Sequence, residues 1–154
     1  MAAFRLEYFS SLPPDFVALT RQLDAELNDR NGAWQAEYDV FNALDGIHDV
    51  VIAYEGETPV GCASMKKHDG VYEVKRVFVA GSHRRLGVAR LLMERLEAEA
   101  QRQGIRELIL ETADTLTGAL ALYQALGYNV IPNYGQYQGK PHSVCFGKSL
   151  KESP

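Results

Sequence analysis

The chain has 154 residues, of which 46% are hydrophobic and 23% are charged, and its formal net charge is -4. This length supports one domain with a sizeable apolar core, and the composition excludes a disordered or fibrous protein. The negative charge argues against a general nucleic-acid-binding protein. We therefore expect residues 1–154 to form a single domain.

The sequence also lacks the signals of membrane insertion and secretion. No apolar run approaches the roughly 20 residues that span a bilayer, and "MAAFRLEYFSS" contains no basic segment followed by an apolar stretch. Cys62 and Cys145 lie inside apolar, strand-like runs, and the four histidines show no metal-ligand spacing. We predict a cytoplasmic protein with no membrane partner, no disulfide and no bound metal.

The first half of the chain combines strand and helix patterns. "FRLEYFS" alternates as a strand, and "LPPDFVALTRQLDAELNDRNG" carries apolar residues at helical spacing as far as Gly32. A second helical stretch, "WQAEYDVFNAL", follows. The segments "DVVIAYE" and "PVGCASMKK", joined by the turn residues "GET", predict an antiparallel hairpin.

The second half follows the order strand, helix, strand, helix, strand. "VYEVKRVFV" predicts the centre of the sheet, and the helix after it ends at Gly104. The apolar positions of that helix are Val88, Leu92, Leu96 and Ala100, with Leu91 beside them. "IRELILET" is a buried strand, "DTLTGALALYQALGY" is a helix with Asp114 or Thr115 as its capping residue, and strands near "YNVI" and "SVCFGKSL" follow. This order predicts an α/β (α+β) fold, a mixed sheet of about six to seven strands with helices on both faces.

The junction "SHRRLGVARLL" is a candidate anion site. A glycine-containing turn between a strand and a helix gathers unpaired backbone N–H groups at the positive end of the helix dipole. Gly87 allows close backbone approach, and Arg84 and Arg85 supply charged donors that suit a pyrophosphate. A solvated arginine pair at a turn is the alternative. The sequence contains neither G-x-x-x-x-G-K-[ST] nor G-x-G-x-x-G, which argues against kinase and dehydrogenase functions.

The residues around this junction resemble the GNAT acyltransferases. "RRLGVA" fits the family signature R/Q-x-x-G-x-G/A at Arg84, Gly87 and Ala89. The resemblance extends through "YEVKRVFV" before the junction and "LETADTLTGALALYQALGY" after it, in the family's order and spacing. The "LET" segment, the helix end "ALYQALGY" and "YGQYQGKPHSVCFGKSL" look like a bacterial branch of small-molecule N-acetyltransferases.

The resemblance implies a GNAT fold and transfer of an acetyl group from acetyl-CoA to a primary amine of a small molecule. In this family the turn grips the coenzyme pyrophosphate, and a splay in the central strand frees backbone groups for the pantetheine arm and the thioester oxygen. The positions that correspond are Val77, Phe78, Val79, Arg84, Arg85, Leu86, Gly87, Val88, Ala89, Thr112 and Tyr123. Since the strand contributes its backbone, the side chains of Val77, Phe78 and Val79 are equally suited to the core.

Two residues are candidates for the chemistry. Tyr123 stands where the family carries a tyrosine that protonates the departing thiolate, although an amphipathic helix also buries tyrosine in the core. Glu73 lies eleven residues before Arg84, the spacing of the glutamate base in histone-type members. Pairing with Lys75 is the alternative for Glu73, because strand alternation places Glu73, Lys75 and Val77 on one face.

The chain departs from the family at two positions. Leu116 stands where many relatives carry Asn or Gln, and Ala113 where Gly is frequent, which puts a coenzyme contact from Leu116 in doubt. Thr112 and Asp114 are polar groups nearby, and each also suits a strand end or a helix cap.

The acceptor pocket of the fold is usually walled by the first two helices and the last hairpin loop. These correspond to "LNDRNGAWQAEYDVFN" and "PNYGQYQGKPHS", where Glu37 or Asp39 could attract a cationic amine. The aromatic candidates for the pocket are Trp34, Tyr38, Tyr134 and Tyr137, which are equally typical of surface aromatics beside turns.

Other interpretations stay open. His142 and Cys145 raise a nucleophilic cysteine mechanism, but strand alternation would point them to opposite faces. A non-catalytic acyl-CoA-binding sensor module and a protein N-acetyltransferase would share the same folded core. The edge strand near the C-terminus is compatible with a homodimer and with a monomer.

Overall fold

The computed structural model describes residues 3–31, 44–68 and 70–150. Within these ranges the chain forms seven strands and three α-helices. They are β1 (Arg5–Phe9), α1 (Pro14–Asn31), β2 (Ile47–Glu55), β3 (Thr58–His68), β4 (Val71–Val79), α2 (Val88–Arg102), β5 (Glu107–Ala113), α3 (Thr117–Ala125), β6 (Asn129–Ile131) and β7 (Ser143–Ser149). Short 3-10 turns at Gly81–His83 and Gly135–Tyr137 lie in two of the loops.

The strands form one mixed sheet in the order β1-β2-β3-β4-β5-β7-β6, which confirms the predicted fold class and the central position of β4. β1 pairs with β2, β2 with β3, β5 with β7 and β6 with β7, all antiparallel, whereas β4 and β5 pair in parallel. The predicted hairpin is therefore confirmed as β2 and β3. The helical prediction for "WQAEYDVFNAL" lies outside the described residues, except for its last residue.

The chain divides into two compact units, and β4 contributes its first half to one and its second half to the other. The first unit consists of the described parts of Met1–Lys66 and of Lys75–Leu96. The second unit consists of the described parts of Lys67–Val74 and Glu97–Pro154.

In the first unit, α1 and α2 pack on opposite faces of the strands. Phe16 and Leu19 of α1 are buried in one cluster with Cys62 of β3. Each such side chain contributes roughly 1.5–3 kcal/mol by leaving water. Gly61, next to Cys62, faces the other way, and a Cβ there would lie 3.1 Å from Leu92 of α2. Because successive strand residues point to opposite faces, helices cover both faces within this unit, as predicted.

In the second unit, β5 and β7 pair from Glu107 opposite Ser149 to Ala113 opposite Ser143. Both faces of β5 are covered, as the run of apolar residues predicted. Leu108, Ile109 and Leu110 are buried, as is Phe146 of β7.

Two details of the helices differ from the predictions. In α2 the apolar residues predicted at every fourth position, Val88, Leu92, Leu96 and Ala100, are buried. Leu91, which was predicted beside them, is exposed, and Met93 is buried instead. The capping prediction for α3 is wrong, because Leu116 occupies the N-cap without a side-chain hydrogen bond. The Leu116 N–H donates to the Ala113 carbonyl in a turn that follows β5, and this turn moves the helix start beyond Asp114 and Thr115.

Candidate functional site

The turn between β4 and α2 has a backbone suited to an anion. Arg85 and Gly87 both adopt left-handed conformations, with φ of +65° and +81°. The Gly87 carbonyl accepts the N–H of Leu91, so α2 begins directly after this glycine. The first N–H groups of a helix have no partner within it and lie at the positive end of its dipole. We call Arg84–Ala89 the coenzyme turn.

The coenzyme turn also has room for a ligand. A Cβ added at Gly87 would meet nothing within 4 Å, so the backbone there is open to close approach. The Arg85 side chain is exposed and has no ion-pair partner among the described residues. An open helix start with a free cation beside it matches the requirements of a pyrophosphate group.

Arg84, which the sequence predicts as a pyrophosphate ligand, contacts β4 and α1. Its Nε donates to the Val79 carbonyl at 3.0 Å, and its Nη2 donates to the Glu26 carboxylate of α1. The guanidinium also lies 5.8 Å from the centre of the Phe78 ring. Arg84 therefore ties the coenzyme turn to the end of β4 and to α1.

The end of β4 is held close to β3. The Ala80 N–H donates to the Val60 carbonyl at 2.8 Å. A Cβ at Gly61 would lie only 2.9 Å from the Phe78 carbonyl oxygen, closer than real Cβ contacts. Only glycine at position 61 therefore permits this approach of the β4 backbone.

Arg76 interrupts β4 just before that segment. Its φ of +58° is left-handed, which is costly for a residue that carries a Cβ. Among the described residues the parallel pairing of β4 with β5 covers only Tyr72 and Glu73. The regular alternation predicted from Glu73 to Val77 is therefore broken at Arg76.

Glu73 is a fully buried carboxylate in the second unit. Its Oε2 accepts the Tyr134 hydroxyl at 2.6 Å, and its Oε1 is buried without a hydrogen-bond partner among the described residues. The Tyr134 ring meets His68 and Tyr137 edge-on, with centroids 5.2 and 5.4 Å away. Burial, and after it the Glu73 charge, raises the pKa of Tyr134, so the hydroxyl keeps its proton. We call Glu73, Tyr134, Tyr137 and His68 the carboxylate cluster.

Tyr123 is buried on α3 in the second unit. Its ring packs against Tyr128 at 5.8 Å and Phe146 at 6.0 Å between centroids. Burial raises the pKa of Tyr123, and the Glu111 charge raises it further. Tyr123 therefore carries its proton throughout the neutral and mildly alkaline range, as a hydroxyl donor must.

Comparison with known proteins identifies the family. The sequence profile of the acetyltransferase (GNAT) family matches residues 6–128. The chain belongs to the GNAT acetyltransferases. The IAA acetyltransferase of Azospirillum brasilense is 34% identical over 102 residues, which are 65% of this chain and 67% of that protein.

Solved structures agree with this GNAT assignment. A Klebsiella pneumoniae protein described provisionally as an acyl-CoA N-acyltransferase has a TM-score of 0.79 and 27% identity, over 98% of this chain and 100% of that one. A GNAT family acetyltransferase from Elizabethkingia anophelis, solved with acetyl-CoA bound, has a TM-score of 0.66 and 16% identity, over 96% and 98% of the two chains. At that identity the second match shows the fold alone.

The structure of this GNAT chain brings together some of the predicted site residues. Tyr134 and Tyr137 lie beside each other, and Tyr134 binds Glu73. Thr112 is buried on β5 opposite Val144. Leu86 and Val88 flank Gly87, the first with an exposed side chain and the second with a buried one, and Ala89 follows in the first turn of α2. The candidates Trp34, Glu37, Tyr38 and Asp39 lie outside the described residues.

Cys145 is unsuited to nucleophilic catalysis in this GNAT chain. It is fully buried on β7, and burial raises the pKa of its thiol to about 11. A protonated, inaccessible thiol is a poor nucleophile. Within the described ranges, no group of three or more His, Cys, Asp or Glu side chains is arranged to hold a metal ion. No helix in these ranges is long and apolar enough to cross a bilayer.

Three features of the site were not predicted from the sequence. The first two are the conformation of Arg76 and the close approach at Gly61. The third is the contact between Tyr134 and Glu73, which lie 61 positions apart and therefore share no local pattern. The one local signal was Asn133, whose side-chain amide donates to the carbonyls of Tyr137, Lys140 and Ser143 and so shapes the loop that carries Tyr134.

Proposed function

We propose that this GNAT acetyltransferase moves an acetyl group from acetyl-CoA directly to a primary amine of a small molecule. The observation that carries the proposal is the buried Glu73 carboxylate, which has one oxygen bound by Tyr134 and the other without a partner. An amine must lose a proton to attack a thioester, and such an oxygen is a suitable acceptor.

The coenzyme is proposed to bind through the coenzyme turn and the end of β4. The N–H groups at the start of α2 and the Arg85 guanidinium suit the pyrophosphate. The backbone of Val77–Val79 suits the pantetheine arm and the thioester oxygen, where a fixed N–H would stabilise developing negative charge. The β4 interruption at Arg76 and the close approach at Gly61 support this part of the proposal.

The chemistry assigns one proton transfer to each of two residues. The ammonium group first loses one proton to solvent, because only the neutral amine has a lone pair that can attack. As its nitrogen forms a bond to the acetyl carbon, the amine loses a second proton to Glu73, directly or through a water molecule. The carbon–sulfur bond breaks, the coenzyme leaves as a thiolate that takes the hydroxyl proton of Tyr123, and proton exchange with solvent then restores Glu73 and Tyr123. The Tyr123 hydroxyl is protonated when the thiolate forms, because burial raises its pKa, although the same rise makes it a weaker proton donor.

The acceptor is proposed to be a small cationic amine. The half-buried Tyr134 provides aromatic surface beside the Glu73 carboxylate, and this combination suits an ammonium group. The Tyr137 ring packs against Tyr134 and is itself buried. Trp34 and Tyr38, with Glu37 or Asp39, are proposed to complete the pocket. The relative named IAA acetyltransferase supports a small molecule over a protein as the acceptor.

A panel of acceptors tests the proposal. The purified protein is mixed with acetyl-CoA and with primary amines, amino acids or peptides with free N-termini, and release of free thiol is followed. Thiol release with a small amine supports the proposal, whereas release with peptides alone would make the protein a protein N-acetyltransferase. Stoichiometric binding of acetyl-CoA without thiol release across the panel would indicate the non-catalytic sensor module. The cytoplasmic location and the homodimer stay predictions.

A further inference from the structure

Arg76 combines two unfavourable features in the first unit. It is the one residue of β4 with a left-handed backbone, at φ +58°, where glycine or asparagine would fit more easily. Its guanidinium is buried, yet Nε and Nη1 have no hydrogen-bond partner within the part of the chain that the structure describes. Since proteins usually tolerate such local violations where function requires them, Arg76 calls for a functional explanation.

The guanidinium is tethered to α1 through a single nitrogen. Nη2 donates to the Thr20 carbonyl at 2.8 Å and to the Asp24 carboxylate at 2.7 Å. The Arg76 side chain is 2% exposed and the Asp24 side chain 51% exposed, so the charge of Arg76 is neutralised from the surface of α1. This tether links the left-handed residue of β4 to a helix.

Side chains of β3 donate hydrogen bonds to the backbone of β4 around Arg76. The Ser64 hydroxyl donates to the Lys75 carbonyl at 2.6 Å, and the Cys62 thiol donates to the Arg76 carbonyl at 3.3 Å. Two successive β4 carbonyls thus accept hydrogen bonds from side chains. Such bonds are expected where a bulge disrupts a ladder.

We propose that Arg76 is a positioning residue for the coenzyme. Its tether to Thr20 and Asp24 holds the left-handed turn in β4, and the turn sets the direction of the Val77–Val79 backbone that takes the pantetheine arm. Arg76 itself touches no reacting atom. This inference rests on the proposed coenzyme site. It adds the side chain that holds the Val77–Val79 part of that site in place.

The test compares two parts of the same coenzyme. Titration calorimetry measures the affinity of the wild-type protein and of Arg76→Gly for acetyl-CoA and for adenosine 3′-phosphate 5′-diphosphate, which lacks the pantetheine arm. Glycine accepts the left-handed conformation, so the variant removes the buried side chain and its tether without adding backbone strain. We expect Arg76→Gly to bind acetyl-CoA about tenfold more weakly, or about 1.4 kcal/mol, and to bind the nucleotide within about twofold of wild type.

Asp24→Ala tests the tether from its other end and does not depend on how Arg76→Gly folds. We expect a smaller loss of acetyl-CoA affinity with no loss of nucleotide affinity, and the double variant should be no weaker than Arg76→Gly alone. Arg85→Ala is a control at the proposed pyrophosphate site. It should weaken the binding of the nucleotide and of acetyl-CoA by the same factor, because both ligands carry the pyrophosphate.

Two results would overturn the role of Arg76. One is unchanged acetyl-CoA affinity in both Arg76→Gly and Asp24→Ala, and the other is an equal loss for acetyl-CoA and the nucleotide. A wild-type protein that binds neither ligand would instead contradict the proposed function. The two failures are therefore distinguishable.

Discussion

The coenzyme turn and the carboxylate cluster are built in different ways. The coenzyme turn is a short continuous segment with left-handed residues at Arg85 and Gly87, and its backbone is proposed to supply the binding groups. The carboxylate cluster consists of side chains from distant parts of the chain, because Glu73 lies on β4 and Tyr134 in the loop before β7. We therefore expect the coenzyme turn to determine the affinity for acetyl-CoA and the carboxylate cluster to determine the rate of acetyl transfer.

The largest expected effect is on the carboxylate cluster. Glu73→Gln keeps the size of the side chain and a hydrogen-bond acceptor for Tyr134 but removes the base. We expect turnover to fall by about 10²–10⁴-fold, the usual contribution of a positioned general base. The affinity for acetyl-CoA, measured by calorimetry, should stay within about twofold of wild type. Turnover equal to that of wild type would remove Glu73 from the mechanism.

Tyr123→Phe should have the next largest effect. The ring and its contacts with Tyr128 and Phe146 remain, and only the hydroxyl is lost. We expect steady-state turnover to fall by about 10²-fold, the lower end of the range for acid catalysis, with coenzyme affinity unchanged. Because burial raises the pKa of Tyr123, its ionisation should cause no loss of wild-type activity between pH 7 and about 10. An unaltered rate in the variant would assign the proton donor role to another group.

Gly87→Ala tests the coenzyme turn and has a matched control in Gly56→Ala. Both glycines have left-handed φ and open space around them, so each alanine should cost about 1 kcal/mol of stability in a denaturant titration. We expect only Gly87→Ala to weaken acetyl-CoA binding, by about tenfold, because its Cβ would stand where the ligand approaches. Equal coenzyme affinity in the two variants would contradict the assignment of the turn.

Tyr134→Phe should have a smaller effect, and Tyr128→Phe is its control. Tyr128 donates to Glu97 at 2.8 Å in the same unit, so each variant loses one tyrosine–glutamate hydrogen bond. Tyr134→Phe should lose about 1–3 kcal/mol of unfolding free energy, since it leaves the buried Glu73 carboxylate without its donor. Tyr128→Phe should lose less, because Glu97 is only partly buried and keeps its ion pair with Lys148. Only Tyr134→Phe should reduce turnover, by a few-fold. If both variants reduced turnover equally, the Tyr134 contact would be structural alone.

Modification of the cysteines should have the smallest effect. Burial raises the pKa of Cys62 to about 12 and of Cys145 to about 11, so only about one Cys145 thiol in a thousand is ionised at pH 8. We expect iodoacetamide to leave both residues unmodified by mass spectrometry in the folded protein and the activity unchanged. Rapid inactivation together with labelling of Cys145 would restore the cysteine mechanism.

The same comparison explains how much the sequence could predict. The fold class, the hairpin, the β4 segment and α2 depend on local periodicity and turn residues, and the structure confirms them. Gly87 stands in a contiguous motif, so its place at the start of α2 could be predicted from the sequence. The contact between Glu73 and Tyr134 depends on strand order and loop shape, which no local pattern encodes.

Two residues show the limit of periodicity. Alternation treats β4 as regular, but Arg76 adopts a conformation that its residue type disfavours, and it makes tertiary bonds to α1 and, through its carbonyl, to Cys62 of β3. The capping prediction at Asp114 and Thr115 failed for a similar reason, because a turn after β5 set the start of α3. In both places a tertiary or turn contact outweighed the local preference.

The most direct test measures acetyl-CoA affinity and turnover at saturating coenzyme side by side in Gly87→Ala and Glu73→Gln. The account predicts a loss of affinity with near-normal saturated turnover in the first variant, and a loss of turnover with normal affinity in the second. If either variant lowered both quantities by the same factor, the division between a binding turn and a catalytic carboxylate would be contradicted.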